Sequence, residues 1–358
     1  MEALVTLADF YRGKRVLVTG HTGFKGAWLC AWLKRMGAEV TGYALEPDTQ
    51  PALFTQCAVG QGMNSVIGDI RDRAALLQAF RQAQPDIVFH LAAQPLVCES
   101  YLRPADTFEI NIMGTVNLLE CVREVPTVRS VVNITTDKVY RNHEWPWGYR
   151  ESDELDGHDP YSNSKSCSDL VTGCYRRSFF TEGPAVSTAR AGNVIGGGDF
   201  AADRILPDCV RAVLAGQPIR VRNPGSTRPY QHVLEPLGAY LLIAREQYDS
   251  KKLSGAYNVG PAQEGCATTE DLVKLFCRCW GAEAKYIAGQ TNGPHEAGLL
   301  KLDNNLIASR LGWKPRWDIA TAVERTVQWY RAYAAGADTT ACMNAQIDEY
   351  RNETGSNV

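Results

Sequence analysis

Three glycines, Gly20, Gly23 and Gly26, stand at i, i+3 and i+6 directly after the apolar run Arg15-Val16-Leu17-Val18-Thr19. A helix pattern follows at once, carrying Trp28, Leu29, Trp32 and Leu33, and stops at Gly37. The next strand runs from Glu39 to Tyr43. Strand, glycine turn, helix, strand is a βαβ unit, which commits the chain to a parallel sheet with a right-handed crossover. In such a turn one glycine makes the bend, one lets the backbone approach a pyrophosphate, and one lets helix and sheet pack closely. The helix start then offers N–H groups to an anion, so a dinucleotide is the expected ligand. A merely structural turn is the other reading of the same triplet.

The alternation continues. Strands are expected at Ser65–Asp69, Asp86–Leu91, Ser130–Ile134 and Ala185–Arg190, with helices at Arg73–Gln82, Ile110–Arg123 and Pro160–Phe180. This pattern predicts an α/β fold, a Rossmann-like doubly wound parallel sheet, followed by a smaller C-terminal substrate-binding domain. After Asn193 the texture changes: Gly196-Gly197-Gly198 breaks the pattern, and shorter elements rich in Arg and Pro follow. The expected division is a dinucleotide-binding domain over 1–193, with 230–262 returning to it, a smaller domain over 194–335, and a polar, partly loose tail over 336–358.

Composition narrows the function classes. Of 358 residues, 45% are hydrophobic and 22% charged, an ordinary globular balance, and the net charge of −3 argues against nucleic acid or an anionic membrane as partner. The 11 cysteines are scattered in a chain too long to need disulfide staples, which reads as reduced thiols in a cytoplasmic protein. No metal-ligand spacing appears among the 6 histidines, no signal peptide is read at Met1–Phe10, and no apolar run approaches a membrane span.

Tyr161 and Lys165 are spaced i, i+4, one turn apart on a helix face. An ammonium close to a phenol favours phenolate, so the tyrosine can serve as a base near neutral pH. Thr136-Asp137-Lys138 ends the strand expected beside the nicotinamide. A hydroxyl there suffices for a reductase or epimerase. An adjoining acid–amine pair suits elimination of water next to a ketone, which needs an acid for the leaving hydroxyl and a base for the α-proton. A solvent-exposed ion pair in a turn is the plain alternative. Glu46, beyond the second strand, is either a ribose ligand or an ordinary loop carboxylate, and the absence of an arginine there favours NAD over NADP.

The GxxGxxG spacing, Gly68-Asp69-Ile70, His90-Leu91-Ala92-Ala93-Gln94 and the run from Asn111 to Leu118 (NIMGTVNL) resemble the extended branch of the short-chain dehydrogenase/reductase superfamily. Within it, several segments resemble the CDP-glucose 4,6-dehydratase family: GHTGFKG from Gly20, Thr135 to Tyr140 with Asn142, EWPWGYRE from Glu144, Asp159 to Ser162, GNVIGGGDF from Gly192 and RPYQHVLEP from Arg228. Cys98, Tyr230 and Val139 depart from its pattern.

The resemblance implies a lyase with recycled NAD and a nucleotide-sugar substrate, CDP-glucose. It implies catalytic roles for Thr136, Asp137, Lys138, Tyr161 and Lys165, and cofactor contacts at Gly20, Gly23, Phe24, Lys25, Gly26, Asp69, Ile70, Leu91, Ala92 and Ala93, joined by Tyr161 and Lys165. It implies substrate contacts at Gln94, Asn193, Arg204 and Arg228. Trp145, Trp147 and Tyr149 either wall the sugar pocket or pack the loop. A homodimer or homotetramer and a place in deoxysugar and surface-polysaccharide synthesis (lipopolysaccharide O-antigen) are further implications. The alternatives are a nucleotide-sugar 4-epimerase, a 4,6-dehydratase for another nucleotide sugar, and a non-catalytic dinucleotide-sensing regulator.

Overall fold

The computed structural model describes residues 6–262, 266–289 and 298–352. A short helix α1 (Leu7–Tyr11) leads into β1 (Arg15–Thr19), α2 (Phe24–Arg35), β2 (Glu39–Ala44), α3 (Leu53–Gln56), β3 (Asn64–Ile67), α4 (Arg73–Ala83) and β4 (Ile87–His90). Next come α5 (Val97–Leu102), α6 (Pro104–Phe108), a π-helical turn at Glu109–Met113, α7 (Gly114–Glu124), β5 (Ser130–Thr136), α8 (Pro160–Ser178) and β6 (Ala185–Ala191). The later part carries β7 (Val194–Ile195), α9 (Ile205–Leu214), β8 (Ile219–Val221), β9 (Thr227–Arg228), β10 (Gln231–His232), α10 (Leu234–Asp249) and β11 (Ala256–Val259). It closes with β12 (Ala267–Thr268), α11 (Thr269–Trp280), β13 (Tyr286–Ala288), α12 (Asn305–Leu311), α13 (Ile319–Ala334) and α14 (Thr339–Asn352).

Among the described residues, a seven-stranded parallel sheet runs in the order β11-β6-β5-β4-β1-β2-β3. β4, β5 and β6 are buried along their whole length, as strands covered by helices on both faces must be. The chain order reverses between β1 and β4, and that is where an open α/β sheet leaves its ligand crevice. β11 joins the sheet edge from the second half of the chain, in register Ala256↔Thr188 to Val259↔Ala191. Short pairs β7–β10, β8–β13 and β9–β12 build the part beyond the crevice.

Two expected elements differ. The helix read over Ile110–Arg123 is split by the π turn. There Asn111 turns inward: its Nδ2 donates to Ser164 Oγ at 2.8 Å and to the Gln94 carbonyl at 3.1 Å. The tail read as partly loose is helical from Thr339 to Asn352. Met343, Ile347 and Tyr350 form an apolar stripe on α14, and the Tyr350 ring meets Trp32 edge-on at 5.6 Å. Buried Glu235 accepts the Tyr350 hydroxyl at 2.9 Å, together with the backbone N–H groups of Arg316 and Trp317. Residues 353–358 of that tail lie outside the described residues.

Candidate active site

The glycine turn forms as its spacing predicts, and two of its glycines are enforced by contact. Gly20 has φ +74, and a Cβ there would meet Ala92 N at 2.7 Å. A Cβ on Gly26 would meet the Gly20 carbonyl oxygen at 2.1 Å. Gly23 is different: its φ is −74, and a Cβ would find only the Gly20 oxygen, at 3.5 Å. As the N-cap of α2 it brings no side chain to the helix start, so the first-turn N–H groups face the crevice without a cap. A concave backbone with free donors and no side chain in the way fits a pyrophosphate. Leu91 and Ala92 sit beside it, their N–H groups donating to the Thr19 carbonyl and Thr19 Oγ1, both at 3.2 Å.

Opposite this turn, β5 ends in Thr136 and the short turn Asp137–Val139. Thr136 Oγ1 donates to Asp137 Oδ1 at 2.9 Å, and the Lys138 N–H donates to Thr136 Oγ1 at 3.4 Å. Asp137 is 2% exposed, and its Oδ2 has no hydrogen-bond partner. Burial pushes this carboxyl above the usual carboxylate range, against the pull of Lys138, Thr136 and Arg228. An orphaned buried carboxyl oxygen is costly, and it marks a place where a reacting group is expected.

α8 starts at Pro160 with Asp159 as its cap, accepting from Ser162 N at 2.9 Å. That start sets Tyr161 and Lys165 on one face. Burial raises the Tyr161 phenol to about 12, while the Thr136 hydroxyl and Arg204 pull it down. Lys165 is buried, donates to the Ile134 carbonyl at 3.0 Å, and is lowered to about 7, first by burial and then by repulsion from Lys25. Lys25, on the first turn of α2, is lowered to about 8 by burial and by Arg204, against the pull of Asp137 and Asp199. Arg204 pairs with buried Asp199 at 2.9 Å. These mutual influences bring Lys25, Thr136, Asp137, Lys138, Tyr161, Lys165, Arg204 and buried Arg228 into one electrostatic cluster.

Other residues singled out in the sequence have different surroundings. The Gln94 side chain is used within its own loop, donating to the Leu96 carbonyl and Thr107 Oγ1 and accepting from Leu96 N. The Asp69 carboxylate is held by Arg71, and Ile70 packs into the core against Gly114. Phe24 lies against the core and close to Gly196. Asn193 is half-buried, and its carbonyl accepts from Gln231 N. Glu46 is exposed beyond β2, and Arg222 pairs with Asp203 on the surface. His232 is a core side chain between Trp28 and Trp317. Tyr149 is buried and stacks on Tyr140 and Trp145, which is loop packing, whereas Trp147 is 57% exposed.

The sequence reading missed Asp199. The glycine run before it is threaded through the core: Trp28 Nε1 donates to the Gly197 carbonyl at 3.0 Å, and a Cβ on Gly197 would meet Trp329 at 2.1 Å. The unbroken GGG was the available signal, because it fixes where Asp199 and Arg204 emerge. Among the described residues no helix is long and apolar enough to cross a membrane, and no group of three or more His, Cys, Asp or Glu side chains is set to hold a metal ion.

The sheet order, the glycine turn and the Tyr161–Lys165 face define a Rossmann-like fold of the extended short-chain dehydrogenase/reductase type. The UDP-glucose 4-epimerase of Stenotrophomonas maltophila shares that fold, with TM-score 0.79 and 22% identity over 90% of this chain and all of its own. The dTDP-glucose 4,6-dehydratase of Streptomyces venezuelae, solved with NAD bound, has TM-score 0.77 and 25% identity over 91% of this chain and 99% of that one. The CDP-glucose 4,6-dehydratase of Salmonella typhimurium is 47% identical over 97% of this chain and 98% of its own length. The family described as GDP-mannose 4,6 dehydratase matches residues 17–326, and the chain belongs to it.

Proposed function

We propose that the chain is a hydro-lyase that converts CDP-glucose to CDP-4-keto-6-deoxyglucose and water. The observation that carries this reading is Asp137, a buried carboxyl with an orphaned oxygen beside Lys138 at the end of β5. An epimerase or reductase has a use for Thr136, Tyr161 and Lys165 but none for a raised acid next to an amine. NAD would be held at Gly20, Gly23, Phe24, Lys25 and Gly26, along Asp69 and Ile70, and at Leu91, Ala92 and Ala93, and when bound it would supply the hydride acceptor for C4 and the hydride donor for C6.

Tyr161 takes the proton of the C4 hydroxyl, and Lys165 stabilises the phenolate through its charge. Thr136 orients the same hydroxyl. The resulting 4-ketone makes the C5 proton acidic. Lys138 removes that proton, and Asp137, whose carboxyl burial raises above the usual range, donates one to the departing C6 hydroxyl, so that water leaves; as C6 is reduced, Lys138 returns a proton to C5. Arg228 and Arg204, together with Asn193, hold the diphosphate and the sugar, since guanidinium suits phosphate by charge and fork geometry. Gln94 takes part through the loop it braces.

The same proposal divides the chain into a cofactor-binding unit over 1–193 and 230–262 and a sugar-nucleotide unit over 194–335. It makes the protein a cytoplasmic homodimer, or a tetramer built from it, in deoxysugar synthesis for surface polysaccharide. Support for self-association comes from exposed Tyr101, Leu102, Met113, Leu170 and Phe179 around neighbouring α5, α7 and α8. The test is a panel of CDP-, dTDP-, GDP- and UDP-glucose with GDP-mannose, each with catalytic NAD+. Mass loss of one water from CDP-glucose without lasting reduced cofactor is expected. Stoichiometric NADH, or water loss only from another sugar, overturns the reading.

A further inference from the structure

Asp169 and Arg190 form a two-pronged ion pair almost wholly out of water, their side chains 6% and 4% exposed. Arg190 Nε donates to Asp169 Oδ2 at 2.8 Å, and Nη2 donates to Oδ1 at 2.9 Å. A buried pair of this kind adds little net stability over an apolar replacement, so its geometry is the more informative property. Asp169 lies one turn past Lys165 and two past Tyr161, on the same face of α8. Arg190, on β6, stands opposite Thr135 in the register. Thr135 Oγ1 donates to Asp169 Oδ2 at 3.3 Å, while Lys165 grips the preceding carbonyl of Ile134. The strand end that enters the reacting turn is therefore tied to α8 at two successive residues.

The far side of the turn is tied to the same pair. Arg190 Nη1 donates to the Tyr140 hydroxyl at 2.8 Å and to the Glu151 carbonyl at 2.9 Å. The Tyr140 hydroxyl donates in turn to Asn258 Oδ1 at 2.6 Å, on β11. Asn258 Nδ2 donates to the carbonyls of Tyr149 and Asp303, and its N–H to Glu151 Oε1 at 2.8 Å. Tyr140 is 2% exposed and stacks on Tyr149 with ring centres 5.3 Å apart. Ser166 Oγ adds a bond to the Val139 carbonyl at 2.7 Å. Between Thr135 and Tyr140 only Thr136, Asp137 and Lys138 offer reacting groups.

We propose that Tyr140, clamped by the Asp169–Arg190 pair and by Asn258, is a positioning residue that fixes the Asp137–Lys138 turn for elimination without setting the Tyr161-dependent oxidation. The inference rests on the dehydratase reading above. Tyr140 touches neither substrate nor cofactor in this account. Its hydroxyl joins the helix that carries the oxidation base to the far end of the turn that carries the elimination acid.

The experiment compares wild type with Tyr140→Phe, full chain, with NAD+ and CDP-glucose, under single-turnover conditions. Reduced-cofactor absorbance reads oxidation, and mass loss of water with solvent deuterium at C5 reads elimination. The substitution keeps the ring and its stacking and removes one hydroxyl. Oxidation and KM are expected within about two-fold of wild type and elimination slower by roughly ten-fold, less than the ~100-fold that a 1 Å misplacement can cost. Reduced cofactor then accumulates before water is lost. Equal slowing of both steps, or no change in either, overturns the proposal. If Tyr140→Phe lowers the folded fraction, Asn258→Ala, which removes only the acceptor of the Tyr140 hydroxyl and two loop bonds, is read by the same ratio. A wild type that loses no water from CDP-glucose defeats the dehydratase reading instead, so the two failures are separate.

Discussion

The glycine turn before α2 and the reacting turn after β5 come within electrostatic reach through Lys25 and Asp137, yet they are held in opposite ways. The first is shaped by missing side chains: Gly20 and Gly26 approach backbone atoms more closely than any Cβ allows. The second is shaped by side chains and buried charge: Thr136, Asp137, Tyr140, Lys165, Asp169 and Arg190 are all within a tenth of full burial. The steric site is set by close backbone approach, and its one shifted cation, Lys25, stands where it borders the second site. The electrostatic site tunes protons, and burial supplies most of the shift on each group. Binding and chemistry should therefore respond to different substitutions.

The largest effect is expected on the electrostatic side. Tyr161→Phe should lower the rate of the first hydride transfer by about two to four orders of magnitude while leaving nucleotide affinity unchanged. Stopped-flow absorbance of the reduced cofactor checks the rate, and calorimetric titration checks the affinity. An unchanged first rate removes Tyr161 from the role of base.

The next is a pH effect. Lys165 is lowered to about 7, so its charge is present below that pH and lost above it. The first hydride transfer, which uses that charge to stabilise the phenolate, should therefore slow as pH rises through about 7. Lys165→Met removes the charge at every pH, so that limb should disappear along with most of the rate. A limb near 7 that persists in the variant contradicts the assignment.

On the steric side Gly26→Ala forces a methyl onto the Gly20 carbonyl and should cost about 1–3 kcal/mol of stability with a parallel loss of dinucleotide affinity. Gly23→Ala is the sharper control and the smallest effect. Its φ and its 3.5 Å clearance admit a methyl, so thermal stability should shift by under about 0.5 kcal/mol. Dinucleotide affinity should fall nonetheless, because the methyl enters the space in front of the α2 amides. Thermal melts with and without NAD separate the two outcomes.

The same contrast explains what could be read from the chain. A steric site leaves its mark as residue identity and spacing, so the glycine turn and the buried strands around it were legible, down to β5 running into Thr135. The i, i+4 spacing of Tyr161 and Lys165 was legible too, because helix geometry is local. The depth of burial of Asp137 was not, since its turn is packed by α8 and β6 and faces Arg228, all separated from it in sequence. Nor was the clamp at Asp169, although its place two turns past Tyr161 was visible. The π turn at Glu109–Met113 was hidden because its cause, Asn111 reaching Ser164 and the Gln94 loop, is tertiary. The α14 helix was hidden because its single apolar stripe is thin and its anchor, Glu235, lies over a hundred residues away.

The central claim is that Asp137 is the acid that expels the C6 hydroxyl, and Asp137→Asn with NAD+ and CDP-glucose tests it in one turnover. The expected result is reduced cofactor rising toward one equivalent per site at close to the wild-type rate, with water loss slowed by about two orders of magnitude or more. Water loss at the wild-type rate in that variant would contradict the account.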